Sequence, residues 1–280
     1  MSSPKRQGPS ARLRSAGFPH KRLHPCTAVS AVFCFRIGYI GLHNEFRHSK
    51  ENTMFRHTPL LAASIFLVSL FGVTSFARPG LAEQKLFNGK DLLGWEHYLV
   101  DADAKMTDVW SVQDGLLVCQ GSPMGYLCTE KEYKNFHLVV EWRWAPGSEP
   151  GNSGVLMRIT GEPTMLPNCV EAQLASGSAG DMYGFQGFLI DGDPDRKMEI
   201  PDHELGGHLR GLKKIEGNEK DPGEWNRYEI TAAEDKVTLV VNGKQVNEAT
   251  GCDVRSGKIG LQSEGGAIHF RTVNITPIVQ

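Results

Sequence analysis

The chain has 280 residues, is 40% apolar and 22% charged, and carries 31 glycines and 15 prolines, a usage that suits strands and turns and leaves length for one sizeable domain once a leader is removed. Its formal net charge of -2 hides two unlike parts: residues 1–82 hold 11 Lys and Arg against 2 Asp and Glu, whereas residues 83–280 hold 19 against 30. An acidic body excludes a generic surface for nucleic-acid phosphates or anionic lipid and leaves neutral sugars and bound cations as suitable ligands.

The basic excess lies in front. Phe55-Arg56-His57 follows Met54, an apolar run covers Leu60–Thr74, and small residues come at Ser75-Phe76-Ala77, with Gly80-Leu81-Ala82 as a second cleavage candidate. This is the pattern of a secretory signal over residues 54–82. A run of about 15 apolar residues falls short of the roughly 20 that a membrane span needs, so the mature chain is expected to lack a stable span and to be secreted or periplasmic. Residues 1–53 then read as a spurious or disordered extension from a start codon set too far upstream; a genuine extension with a single anchor is the alternative. The expected mature domain covers 83–280.

Along that body, Leu86-Phe87, Asn88-Gly89 and Leu92–Trp95 form an entry segment. Trp110–Val112 and Leu116–Cys119 flank Asp114-Gly115 as a hairpin. Gly125–Thr129 is the next expected strand. From Phe136 to Trp144 the alternation is clean, with Phe136, Leu138, Val140, Trp142 and Trp144 on one side and His137, Glu141 and Arg143 on the other. Ser153–Ile159 and Asn168–Leu174 follow, the latter with Val170, Ala172 and Leu174 facing one way and Cys169, Glu171 and Gln173 the other. Residues 175–223 are rich in Gly, Asp and Pro and read as a long functional loop with room for a short helix near Asp202–Arg210. Regular strands return at Trp225–Thr231, at the Val237–Val241 hairpin about Asn242-Gly243, and at Lys258–Gln262 and Ile268–Ile275. About a dozen short strands without intervening helices predict an all-β sandwich of two antiparallel sheets. Cys119, Cys128, Cys169 and Cys252 allow two disulfides, Cys119–Cys128 closing one hairpin, or a set of buried unpaired thiols.

Polar side chains gather in the middle of the chain. Glu171 projects from a strand whose other face is apolar, where partial desolvation raises a carboxylate toward the pKa of a useful base. Gln173 shares its face and suits a sugar hydroxyl or a cation. Arg158 is a candidate to pair with Glu171 or to hold an oxyanion, and Asn152 sits where loop becomes strand. Asp181 and Tyr183 offer a carboxylate and an aromatic ring to the rim, Gln262 and Glu264 close the far side, and His208 is a candidate acid, base or ligand, ahead of His203. Glu171, Gln173, Asp181 and His208 are the expected holders of a divalent cation (Ca, Mg, Mn or Zn) if one is bound. Asp191, Asp193 and Asp195 share the chemistry of a calcium loop without the EF-hand spacing and read as a solvated acidic loop. Phosphate loops, His-Glu-x-x-His pairs and serine elbows do not occur.

Several blocks together resemble a known family. Leu86-Phe87-Asn88-Gly89-Lys90-Asp91-Leu92 with Trp95, Asn152-Ser153-Gly154-Val155, Glu171-Ala172-Gln173-Leu174, Gly180-Asp181-Met182-Tyr183-Gly184, Glu224-Trp225-Asn226, Val241-Asn242-Gly243, Gly257–Gln262 and His269-Phe270-Arg271 follow the order of the 3-keto-disaccharide hydrolase domain, over roughly residues 84–278. The resemblance implies a concanavalin-like jelly-roll sandwich, usually exported, acting on glycosides oxidised to a ketone at carbon 3. It also implies cleavage by removal of the carbon-2 proton, with Glu171 or His208 as base and Arg158 or a cation holding the enolate, followed by elimination and hydration. The residues 175–178 that intervene before Asp181, and the Asp-rich Phe185–Arg196 segment, depart from the family pattern and leave the substrate open. The alternatives are a non-catalytic carbohydrate-binding jelly roll, a conventional glycosidase pairing Glu171 with Asp181 or Glu264, and a structural envelope protein.

Overall fold

Two antiparallel sheets of eight strands each make up the computed structural model, which describes residues 81–279. The expected extension at 1–53 and all but the last two residues of the expected signal at 54–82 lie outside the described residues. In chain order the strands are β1 (Gln84–Lys85), β2 (Trp95–Leu99), β3 (Trp110–Gln113), β4 (Leu116–Cys119), β5 (Gly125–Tyr133), β6 (Phe136–Trp144), β7 (Gly154–Thr160) and β8 (Asn168–Gln173). They continue as β9 (Met182–Phe185), β10 (Lys197–His203), β11 (Gly207–Leu212), β12 (Asn226–Ala233), β13 (Lys236–Val241), β14 (Lys244–Ala249), β15 (Gly257–Ser263) and β16 (Ile268–Pro277). One sheet runs β14-β13-β12-β6-β16-β4-β3 with β1 beside β16, and the other runs β10-β11-β9-β8-β7-β15-β5-β2. The expected all-β sandwich with a concanavalin-like arrangement is what the chain forms.

The physical reason is period-2 burial. On β6, Phe136, Leu138, Val140, Trp142 and Trp144 are buried at 0–1% exposure while His137, Glu141 and Arg143 are half-buried on the outside. Burying a large apolar side chain contributes about 1.5–3 kcal/mol, so a one-residue slip of this strand would invert its faces at high cost. The same inward parity on β12, β13 and β16 fills the main core between the sheets.

The second sheet also carries apolar side chains on its outer face, turned away from the first sheet. There Tyr126, Cys128, Leu156, Ile159, Cys169, Phe185 and Leu209 form a separate cluster, covered by Met165 and Leu166 of the 161–167 connection. Gln186 fastens that connection by donating from Nε2 to the Leu166 carbonyl at 3.0 Å.

The region 175–223 is more ordered than its composition predicts. The short helix allowed near Asp202–Arg210 is instead the hairpin of β10 and β11. His203 Nδ1 accepts from the backbone N–H of Gly206 at 3.0 Å and closes that turn. The acidic triplet is local turn chemistry: Asp191 pairs with Lys197 at 2.8 Å, and Asp193 Oδ1 accepts from Asp195 N at 3.0 Å. Among the described residues no helix is long and apolar enough to cross a membrane.

All four cysteines of the body are unpaired and buried, so of the two expected arrangements the set of buried thiols forms and the disulfides do not. Burial pushes the Cys119 and Cys128 thiols up to about 11 and Cys252 to about 12, and only the thiolate attacks. An aromatic disulfide reagent at pH 8 is therefore expected to label none of the four in the folded protein and all four in denaturant. Rapid labelling before unfolding would contradict this burial.

Candidate functional site

The outer face of the second sheet is laid out in rows by strand register. Gly154 pairs with Gln173, Leu261 with Val155, Gln262 with Tyr126, and Tyr126 with Tyr98, so one row crosses the sheet as Tyr98, Tyr126, Gln262, Gly154 and Gln173. The next row sets Leu156 beside Glu171, Glu171 beside Tyr183, and Tyr183 beside Gly211.

Where these rows meet, Gly154 has no side chain, and its space is taken by two others. A Cβ there would overlap Oε1 of Glu171 and Oε1 of Gln262, so glycine is what lets the carboxylate and the carboxamide lean together over the strand. Glu171 is 2% exposed and Gln262 0%. Oε1 of Glu171, both amide atoms of Gln262 and Oδ1 of Asn152 are buried without a hydrogen-bond partner among the described residues. Buried polar atoms are satisfied in the great majority of cases, and an unsatisfied one costs about 1–3 kcal/mol. A convergence of such atoms marks a place shaped for something else.

Glu264 completes the cluster. It is half-buried on the turn after β15, and Asn152 is set beside that turn by donating its N–H to the Gly265 carbonyl at 2.7 Å. Burial raises the Glu264 carboxyl to about 7. Glu171 is raised well above the usual carboxylate range, first by burial and then by the negative charge of Glu264. Both carboxyls thus take up a proton more readily than a solvated carboxyl, and their titration belongs to the pair.

Beyond Glu171 stands an arrangement that residue patterns did not reveal. Lys213 Nζ donates to Asp181 Oδ2 at 2.8 Å and to the Tyr183 hydroxyl oxygen at 2.9 Å, and Lys214 N donates to Asp181 Oδ1 at 2.8 Å. Asp181, 3% exposed, therefore anchors an ammonium beside Tyr183 and has both oxygens engaged. Its carboxylate, then Tyr183, raises the Lys213 pKa and keeps the amine charged. The Tyr183 phenol is raised too, mainly by burial.

Other expected members lie elsewhere. Arg158 is not beside Glu171: at the β7 bulge its φ of 57° turns the side chain away from that face. There its guanidinium donates to the carbonyls of Lys134 at 3.0 Å, Asp253 at 2.6 Å and Glu234 at 2.8 Å. With 0% exposure it ties turns together and holds no oxyanion. His208 also departs from the cluster. On β11 it has the parity of Arg210 and Leu212, with Leu212 in the main core, whereas Leu209 and Gly211 face the Glu171 side. It pairs with Glu199, which also meets Arg210 at 3.3 Å. Gln173 does share the Glu171 face, but its Oε1 accepts from Leu174 N and Ala175 N, each at 2.8 Å. The expected cation set of Glu171, Gln173, Asp181 and His208 is therefore not assembled. Among the described residues no three His, Cys, Asp or Glu side chains gather as a metal cluster; the free oxygen donors are those of Glu171, Gln262 and Asn152.

A 3-keto-disaccharide hydrolase of Bacteroides thetaiotaomicron is 26% identical over 175 residues, covering 58% of this chain and 57% of that protein. The chain thus spans a little over half the length of that curated relative. A candidate glycosyl hydrolase of Parabacteroides distasonis superposes with a TM-score of 0.50 at 22% identity, over 70% of this chain and 94% of that one. A structure from work on endo-acting O-glycanases of the human gut microbiota superposes with a TM-score of 0.50 at 15% identity, over 71% of this chain and 100% of that one. At these identities the two structures speak for the fold. Residues 82–276 match one family along their whole length, and the chain belongs to the family of 3-keto-alpha-glucoside-1,2-lyase-like domains.

Proposed function

We propose that this protein is an exported enzyme that cleaves the glycosidic bond of 3-keto-glycosides, with Glu171 removing the carbon-2 proton. The observation that carries the proposal is the buried, unpartnered Glu171 carboxyl, raised well above its usual range and aimed with Gln262 into the space that Gly154 leaves. Membership of the family supports that substrate class.

In the proposed step the ketone acidifies the hydrogen at carbon 2, whose proton passes to Glu171. The electron pair of that bond forms the double bond as the carbon-1 to oxygen bond breaks, and the leaving oxygen takes a proton from Glu264, whose pKa of about 7 suits a donor. Charge that develops on the ketone oxygen is met by the Lys213 and Tyr183 pair across the strand from Glu171. Water adding across the resulting double bond gives net hydrolysis. Because Glu171 is 2% exposed, the proposal requires the sugar to enter over Glu264, the more exposed of the two. The unpartnered oxygens of Glu171, Gln262 and Asn152 also fit a hard divalent cation such as Ca, Mg or Mn, which when bound would polarise the ketone.

One observation favours a second reading: Glu171 and Glu264 are a coupled carboxyl pair, as a conventional glycosidase requires. Incubation of the protein from residue 83 with a 3-keto-disaccharide and its ordinary counterpart, with and without chelator, separates the possibilities. The proposal expects turnover of the keto sugar alone. Turnover of the ordinary sugar would support the paired-carboxylate reading, and binding without turnover would support a carbohydrate-binding module.

The pH profile offers a further check. A base with a raised pKa works better as pH rises through that pKa, so kcat/KM should climb along an acidic limb. Glu264→Gln removes the negative neighbour that raises Glu171 and should move that limb to lower pH, with a lower plateau from loss of the proton donor. A limb that stays in place would show that the pair is not coupled in this sense.

A further inference from the structure

The outer face continues past Gln262 onto an aromatic platform that the proposed chemistry leaves unused. Gln262 pairs with Tyr126, and Tyr126 with Tyr98; the two rings stack with centroids 5.5 Å apart and planes 26° apart. Strands lie about 4.8 Å apart, which puts Tyr126 about 10 Å and Tyr98 about 15 Å from the Gly154 position. The row thus leads from the Glu171 and Gln262 side chains toward the two tyrosine rings, the direction in which a second sugar ring would extend.

The platform borders a small recess with both apolar and charged walls. Tyr98, Tyr126, Ile159, Pro163, Glu96 and Lys258 line a recess of about 220 Å³, below the roughly 300–1,000 Å³ that encloses a drug-sized ligand. Lys258 Nζ donates to Glu96, and the exposed Glu132 adds a second carboxylate to the rim. A pyranose has this complement: an apolar face of C–H bonds to lie on a tyrosine ring, and hydroxyls around its edge to meet the carboxylate and the ammonium. The 161–167 connection, held down by Met165 and Leu166, limits the recess on one side.

We propose that Tyr98 and Tyr126 form the subsite for the leaving sugar. The proposal rests on the reaction assigned to Glu171. Tyr98 is half-buried and is the ring to alter, because Tyr126 is 3% exposed and contributes to packing.

The test compares a 3-keto-α-glucosyl disaccharide with methyl 3-keto-α-glucoside, whose leaving group is too small to reach the platform. Tyr98→Ala is expected to raise KM for the disaccharide about tenfold, the value of one lost stacking contact of about 1.4 kcal/mol. Its kinetics on the methyl glycoside should stay within about twofold of the parent, and Tyr98→Phe should restore the disaccharide KM. An equal loss on both substrates, or no change on either, overturns the subsite. Should the parent protein turn over neither keto sugar, the assigned reaction fails by itself. Titration of parent and Tyr98→Ala with the ordinary disaccharide then decides the subsite, and equal affinities, or no binding by either, overturn it.

Discussion

Glu171→Gln is expected to abolish turnover of a 3-keto-glycoside while making the protein more stable. Loss of a positioned base costs about 10²–10⁴ in rate, and glutamine cannot take up the proton. The stability effect follows from the raised pKa, caused first by burial and then by Glu264. Because the folded state favours the protonated carboxyl, its contribution is fully present below the unfolded pKa, about 4.3, and is lost as pH rises through the higher folded pKa. Glutamine is neutral throughout, so the gain of Glu171→Gln over the parent should be small at pH 4 and grow to about 1–3 kcal/mol by pH 8. Denaturant melts at the two pH values, run beside rate measurements, check both parts. Loss of rate with a pH-independent loss of stability would instead mark Glu171 as a packing group.

Arg158→Met is expected to cost about 3–5 kcal/mol of stability while leaving kcat/KM of the folded fraction nearly unchanged. Three backbone carbonyls, of Lys134, Asp253 and Glu234, receive the hydrogen bonds of the buried guanidinium, and methionine would fill the stem's volume while removing all three. Burial lowers the Arg158 pKa, yet a guanidinium stays charged at any pH of interest, so the deficit should be nearly flat from pH 5 to 9. Lysine restores the charge but only one branch of the fork and is expected to recover part of the loss. A folded Arg158→Met protein with normal stability and a specific fall in kcat would return the guanidinium to the chemistry.

The contrast between these two residues shows what the sequence could and could not convey. Alternation along β6 and β8 is local information, and it correctly set the Phe136–Trp144 parity and put Glu171 opposite Val170 and Ala172. Arg158 follows the same kind of alternation on β7, but a single left-handed residue at the bulge redirects its side chain, and an arginine at positive φ has no pattern that announces it. His208 was misplaced for a related reason. Its side of the sheet depends on β11 pairing with β9, and the Gly-rich composition there hid a strand altogether. Lys213 went unnoticed because its partner Asp181 lies 32 residues away, joined through register. Tyr98 and Tyr126 likewise come together only when β2 pairs with β5. Gln262 and Glu264, by contrast, are legible as polar groups at the end of a strong strand.

Removal of the carbon-2 proton by Glu171 is open to a direct test with a 3-keto-α-glucosyl disaccharide deuterated at carbon 2. Initial rates would be compared with those of the unlabelled sugar, and the fate of the label followed by mass spectrometry before the free product exchanges in solvent. A slower initial rate for the deuterated sugar and loss of the label during cleavage are expected. Cleavage at an unchanged rate with deuterium retained at carbon 2 would contradict it.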